Sequence, residues 1–258
     1  MGETRNIQTF DLSRAHGVSI GDVTNVGAPR QEPVAERTEP ACRILLLGAN
    51  PAGTSRLRLD REARAIEDAL RSAPGGPRFE LLQGWASSSL DLQQDLFGHR
   101  PELVHFAGHG GAAGELALEA QRFRDLVRTG VGGPPAADRG GMIASLTAMV
   151  RLIAHAPGRI RCVVLNACHS AALAEAVAAH VDCAVGMTTA VPDDGAIGFA
   201  WGFYHALAQG ESVAAAFGLA SAQLEAHLAS QPSCARLFAT RCDPAGIRWG
   251  DGAARPKR

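Results

Sequence analysis

Leu103-Val104-His105-Phe106-Ala107-Gly108-His109-Gly110 and Cys162-Val163-Val164-Leu165-Asn166-Ala167-Cys168-His169-Ser170 are two short apolar runs, each closing on a polar residue among small neighbours. Continuous apolar runs of this length read as strands buried on both faces, as in a parallel sheet. Open parallel sheets carry their chemistry outside the carboxyl ends of their strands. Two such ends present the His109 imidazole and the Cys168 thiol on one edge. That is the minimum equipment of a cysteine nucleophile with its general base.

Working outward, strand and helix signals alternate from residue 42 onward. Ile44-Leu45-Leu46-Leu47 makes a buried strand over 43–48, and Leu59, Ala63, Ile66 and Leu70 recur at helical spacing until Pro74-Gly75-Gly76-Pro77. Phe79-Glu80-Leu81-Leu82 is a second strand, with a helix around 90–97, and the His109 strand is third. Glu115-Leu116-Ala117-Leu118 reads as a short hairpin arm, and 130–141 as a Gly/Pro-rich loop. A helix carrying Ile143, Leu146, Val150 and Ile153 precedes the Cys168 strand; Ser170 is placed to cap the next helix. Cys183-Ala184-Val185-Gly186-Met187 is a fifth strand, two helices follow, and Leu237-Phe238-Ala239 makes a last short strand. The alternation predicts an α/β fold: a doubly wound, mostly parallel sheet flanked by helices over 42–245, with a tail at 246–258.

The chain has 258 residues, of which 46% are hydrophobic, enough for one large domain with a real core. Its net charge of -1 and lack of a basic stripe argue against nucleic acid as the main partner. No apolar stretch approaches the ~18 residues of a membrane span, and Met1-Gly2-Glu3-Thr4-Arg5-Asn6 is not a secretory signal, so a cytoplasmic location is expected. The six cysteines are not closely paired and are expected as reduced thiols. No C-x-x-C pair exists and Cys168-His169 are too close for a usual ligand pair, so neither a metal nor another cofactor is expected. Gly48-Ala49-Asn50-Pro51-Ala52-Gly53 is neither G-x-G-x-x-G nor a P-loop and gives only a weak nucleotide-binding signal.

A free thiol titrates near ~8.5, so a nucleophilic cysteine needs help. A helix opening at Ser170 would supply a dipole to Cys168, and an adjacent His109 would supply a positive partner. Gly110 would let a backbone N–H approach a developing oxyanion.

His109-Gly110 followed 59 residues later by Asn166-Ala167-Cys168 resembles the caspase-like cysteine peptidases of clan CD. More closely, the chain resembles bacterial CHAT-domain proteins, through Ile44-Leu45-Leu46-Leu47-Gly48-Ala49-Asn50-Pro51-Ala52-Gly53-Thr54-Ser55 and the two opening runs. The 181–187 and 199–207 stretches extend the likeness, which covers about 43 to 240. The resemblance implies a caspase-like fold and an endopeptidase acting on a protein substrate. It makes His109 the base and Cys168 the nucleophile, with the Gly110 and Cys168 amides as oxyanion donors. Many family members carry Tyr after the Cys where this chain has His169, for which a flanking role is expected. It further implies an effector of bacterial defence or regulated cell death, latent until activated. A non-catalytic caspase-like scaffold for assembly is the alternative; retention of both His109 and Cys168 weighs against it.

Asp182, Asp193 and Asp194 are candidates for a pocket that takes Lys or Arg, whereas Thr54-Ser55-Arg56 resembles the Arg-bearing loop that reads Asp in true caspases. Solvated loop charge is the simpler reading of each. Residues 1–27 form an N-terminal arm and 28–41 a Pro-rich linker, expected to be flexible. Within the arm, Val18-Ser19-Ile20-Gly21 resembles the RIP homotypic interaction motif, with Ser19 in place of the usual Gln. Val18, Ile20 and Gly21 would then recruit a sensor or a second copy through stacked strands; an incidental β-prone patch is the alternative.

Overall fold

Strand β1 (Cys42–Ala49) is buried along nearly its whole length because it is flanked on both edges, by β2 (Phe79–Trp85) and β3 (Leu103–Gly108), both parallel to it. The computed structural model describes residues 42–51, 53–72, 79–85, 89–112, 114–118, 142–144, 146–228 and 233–249. The arm with Val18, Ile20 and Gly21, the linker, the 130–141 loop and residues 250–258 lie outside the described residues. The sheet continues through β6 (Cys162–Asn166), β7 (Cys183–Met187) and β8 (Ala235–Phe238) in the order β2-β1-β3-β6-β7-β8, with only β8 antiparallel. Two short strands, β4 (Leu116–Leu118) and β5 (Met142–Ala144), pair as a separate antiparallel ribbon.

Helices cover both faces, as parallel strands buried on two sides require. One layer holds α1 (Leu59–Arg71), α5 (Asp193–Ala208) and α6 (Val213–Glu225), with Ile66, Phe199, Phe203 and Leu224 packed on Ile44, Leu46, Val164 and Val185. The other holds α2 (Ser89–His99), α3 (Leu146–Ala154) and α4 (Ala171–Ala178), with Leu92, Leu96, Ile153 and Leu173 against Leu45, Leu47, Phe106 and Val163. The doubly wound, mostly parallel α/β architecture is thus as expected. From β1 the chain crosses to β2 on one side, while β3 lies on the other, so the strand order reverses at β1/β3. The crevice above such a reversal is where α/β sheets bind ligands.

Three local expectations are corrected. Ile143 belongs to β5 rather than to the helix after it, which begins at Leu146; the β4 arm needs a pairing partner and takes this segment. Ser170 precedes α4 but makes no side-chain cap. Its buried Oγ donates toward the carbonyls of Leu165 (2.8 Å) and Ala167 (2.7 Å) and accepts the Met187 N–H (3.0 Å). Ser170 thereby stitches the end of β6 to the end of β7. Ser170→Ala is expected to strand a buried N–H and two carbonyls and to cost about 1–3 kcal/mol in denaturant unfolding. Finally, Ile247 and Trp249, within the expected tail, are core residues: the Val213 N–H donates to the Ile247 carbonyl (3.0 Å), and the Arg161 guanidinium lies 5.1 Å over the Trp249 ring.

Candidate active site

The last β3–β6 register pair is Ala107 with Asn166; two residues further along each strand are His109 and Cys168. Side chains alternate along a strand, and His105 and Ala107 on β3, like Val164 and Asn166 on β6, face the α1/α5 layer. His109 and Cys168 open to that side too, into a cleft bordered by Glu62 of α1 and by Asp193 and Ala196 of α5. A methyl group at Gly110 would collide with the Cys168 carbonyl, so only glycine permits the two strand ends to approach this closely. Gly110→Ala is therefore expected to push the Cys168 backbone aside. A displacement of ~1 Å at a reacting group costs on the order of 10²-fold; the rate of Cys168 alkylation, set against a melting curve, measures it.

The His109 ring is held by the loop after β1. Its Nε2 lies 2.7 Å from the Ser55 carbonyl and 3.3 Å from Asn50 Oδ1. A carbonyl only accepts, so Nε2 carries the proton, and in the neutral ring Nδ1 keeps its lone pair. Asn50 Oδ1 also accepts the Leu57 N–H (3.5 Å), which closes the loop around the imidazole. On the other side, Cys168 Sγ accepts the Val191 N–H at 3.4 Å, a donor suited to a sulfur bearing negative charge. His169 sits at φ 55, a left-handed conformation, and its N–H donates to the Thr189 carbonyl (3.3 Å), turning the chain from β6 into α4.

The two support loops meet at an ion pair. Arg58, at the start of α1, reaches Asp193 Oδ2 through Nε (2.6 Å) and its backbone N–H (3.3 Å), and Asp194 Oδ1 through Nη2 (2.5 Å). His109, Cys168, Leu57, Glu62, Asn166, Val191 and Asp193 border one narrow cleft of about 30 Å³.

Beneath the cleft lies a buried polar chain. His105 Nδ1 is 3.0 Å from the Tyr204 hydroxyl and its Nε2 is 2.8 Å from Glu62 Oε1, which also accepts Asn166 Nδ2 at 2.5 Å. Burial, with the Cys162 and Cys42 thiols and Glu62 nearby, pushes the Tyr204 phenol well above its usual range. It therefore stays protonated and donates to Nδ1, leaving Nε2–H for the carboxylate. Asn166 Nδ2 reaches two acceptors, Glu62 and the Ala196 carbonyl (2.9 Å), so the amide orientation is unambiguous, and Oδ1 is buried with no partner.

The candidate residues separate clearly. His109, Gly110, Cys168 and Asp193 come together; Asp194 touches the same Arg58 but does not border the cleft, and Arg56 is exposed and does not border it either. Asp182 precedes β7, at the amino end of the sheet, about 16 Å of strand away from the site. There it pairs with Arg159 (3.1 Å) and Arg161 (3.3 Å) beside a different cavity of about 290 Å³, so it is not part of this site. The Cys183 thiol alongside and burial raise the Cys162 thiol well above its usual range, and burial raises Cys42 likewise, marking both as inert. Asn50, Glu62, His105 and Arg58 were missed as site residues. Glu62 carried a signal, standing on the apolar face between Leu59 and Ile66 where a carboxylate must find a partner.

A family model for the CHAT domain matches residues 21–241. The chain belongs to the CHAT domain family. No curated protein sequence matches it. Among solved structures it is similar to a secreted C11 cysteine protease from Bacteroides thetaiotaomicron in complex with an irreversible peptide inhibitor, with 15% identity, a TM-score of 0.45, and 70% of this chain and 58% of that chain covered. An inactive zymogen C11 protease from Parabacteroides distasonis matches with 11% identity, a TM-score of 0.45, and coverage of 78% and 63%. The B. thetaiotaomicron C11 protease iotapain matches with 10% identity, a TM-score of 0.46, and coverage of 78% and 66%. The CHAT domain thus spans about three fifths of the length of these structures, and likenesses this slight carry no statement about its chemistry.

Proposed function

We propose that this CHAT domain is a cysteine endopeptidase with Cys168 as nucleophile and His109 as general base. In this reading His109 Nδ1 takes the Cys168 proton, and Sγ attacks the carbonyl carbon of the scissile peptide. The Gly110 and Cys168 N–H groups receive the oxyanion. The imidazolium then protonates the departing amine, leaving a thioester on Cys168 that water, deprotonated by His109, hydrolyses to acid and free thiol. The observation that carries the reading is the anchoring of Nε2–H on Ser55, which leaves Nδ1 as the ring's free acceptor in a side chain that shares one cleft with Cys168. The bridge from Gly110 to Leu116 supports the oxyanion role, because it uses the His109 carbonyl and the Gly111 N–H and leaves the Gly110 N–H unspent.

The cleft's acceptors support Lys or Arg before the scissile bond: Glu62 and the unpartnered Asn166 Oδ1 border it, and among the described residues that line it there is no Lys or Arg. A non-catalytic scaffold has no use for a tautomer set in this way. The likeness to bacterial CHAT proteins supports a cytoplasmic effector of defence or regulated cell death that cleaves a protein partner after activation of a latent form; the resemblance of Val18, Ile20 and Gly21 to the RIP homotypic interaction motif supports recruitment through the N-terminal arm. A positional peptide library incubated with the protein, with and without cell extract as activator, tests the reading. Cleavage after Lys or Arg is the expected result; turnover undiminished in His109→Ala would overturn the mechanism.

A further inference from the structure

The groups that hold His109 and Cys168 come from two loops that do not pair with each other through the sheet. The first, after β1, supplies Asn50 and the Ser55 carbonyl to His109. The second, after β7, supplies the Val191 N–H to Cys168 Sγ. Arg58 lies three residues beyond Ser55, and Asp193 two beyond Val191. Their contact is threefold, through Arg58 Nε and backbone N–H to Asp193 and through Nη2 to Asp194. A fork reaching two carboxylates fixes both distance and orientation in a way a single pair does not.

We infer that Arg58, clamped to Asp193 and Asp194, is a positioning residue that sets the His109 loop against the Cys168 loop, and that Asp193 serves this clamp rather than substrate. The inference rests on reading His109 and Cys168 as a working pair. A partly exposed ion pair adds little to stability, so its effect is expected in geometry. With the clamp released, Ser55 and Val191 no longer share a frame, and the imidazole and thiol lose their alignment. The unactivated thiol then reacts more slowly even though it is no less accessible.

The test uses the full chain as wild type, Arg58→Ala, Asp193→Ala and Arg58→Lys. Iodoacetamide alkylation of Cys168, followed by mass spectrometry of its peptide, reports the pair without any substrate. Arg58→Ala and Asp193→Ala are expected to slow alkylation by about tenfold, with kcat for a Lys or Arg peptide falling alongside and KM little changed. Arg58→Lys, which reaches Asp193 but cannot fork to Asp194, is expected to recover part of the rate. Simple loosening of the structure would instead leave alkylation unchanged or faster, and that result overturns the clamp. So does a raised KM in Asp193→Ala with kcat and alkylation as in wild type, which would make Asp193 a substrate contact. Slowed alkylation in both variants with no peptide turnover in any protein would sustain the clamp and remove the peptidase reading. Should Arg58→Ala fail to fold, Asp193→Ala at the exposed end of α5 decides alone.

Discussion

Cys168→Ala is expected to lower peptide turnover by at least ~10³-fold, while leaving the melting temperature within about 2 °C of wild type. The loss is expected to be large because, among the described residues that line the cleft, no second thiol is present, while Cys42 and Cys162 are buried elsewhere and their thiols are held protonated. The melt changes little because Cys168 is only half-buried and its sulfur accepts a single N–H, from Val191. His109→Ala is expected to cost nearly as much, and the double variant little more than either single, since nucleophile and base act as one unit. Steady-state kinetics on one peptide checks all three. Multiplicative losses would mean that His109 and Cys168 work independently.

Glu62→Ala is expected to destabilise the domain by about 3–5 kcal/mol, because it leaves two buried donors unpaired, at about 1–3 kcal/mol each, and opens a cavity. Glu62 Oε1 alone receives both His105 Nε2 and Asn166 Nδ2, so the alanine leaves two buried donors facing a cavity. For a domain of this size, each kcal/mol moves Tm by ~2–4 °C, which predicts a drop of about 6–20 °C by calorimetry. Glu62→Gln keeps an acceptor in place and is expected to lose much less. A drop below about 2 °C for Glu62→Ala would show that the His105–Glu62–Asn166 chain is dispensable.

The parallel sheet was legible because burial on two faces writes itself as unbroken apolar runs. Cys183–Met187 is bounded as expected, and the His109 and Cys168 strands are within a residue or two. That His109 and Cys168 follow neighbouring parallel strands could be read from the strand ends alone, since register carries both to one edge. What could not be read are partners far apart in sequence. Arg58 and Asp193 are 135 residues apart, and the Ser55 carbonyl that orients His109 is backbone, which no residue type announces. Ser170 shows the limit of a local rule: the type and position fit a helix cap, yet the gap between β6 and β7 offered its hydroxyl stronger partners. Asp182 shows another, because its acidity suggested a pocket, while strand direction puts it at the wrong end of β7.

The most direct measurement is covalent capture. A peptide with Arg at its reactive end and an electrophilic ketone in place of the scissile bond, incubated with the full chain, is located by mass spectrometry of the digested protein. The expected result is a single adduct on Cys168, formed at least tenfold more slowly in His109→Ala. An adduct on Cys242 or another thiol, or none on Cys168 while the protein is folded, would contradict the assignment of nucleophile and base.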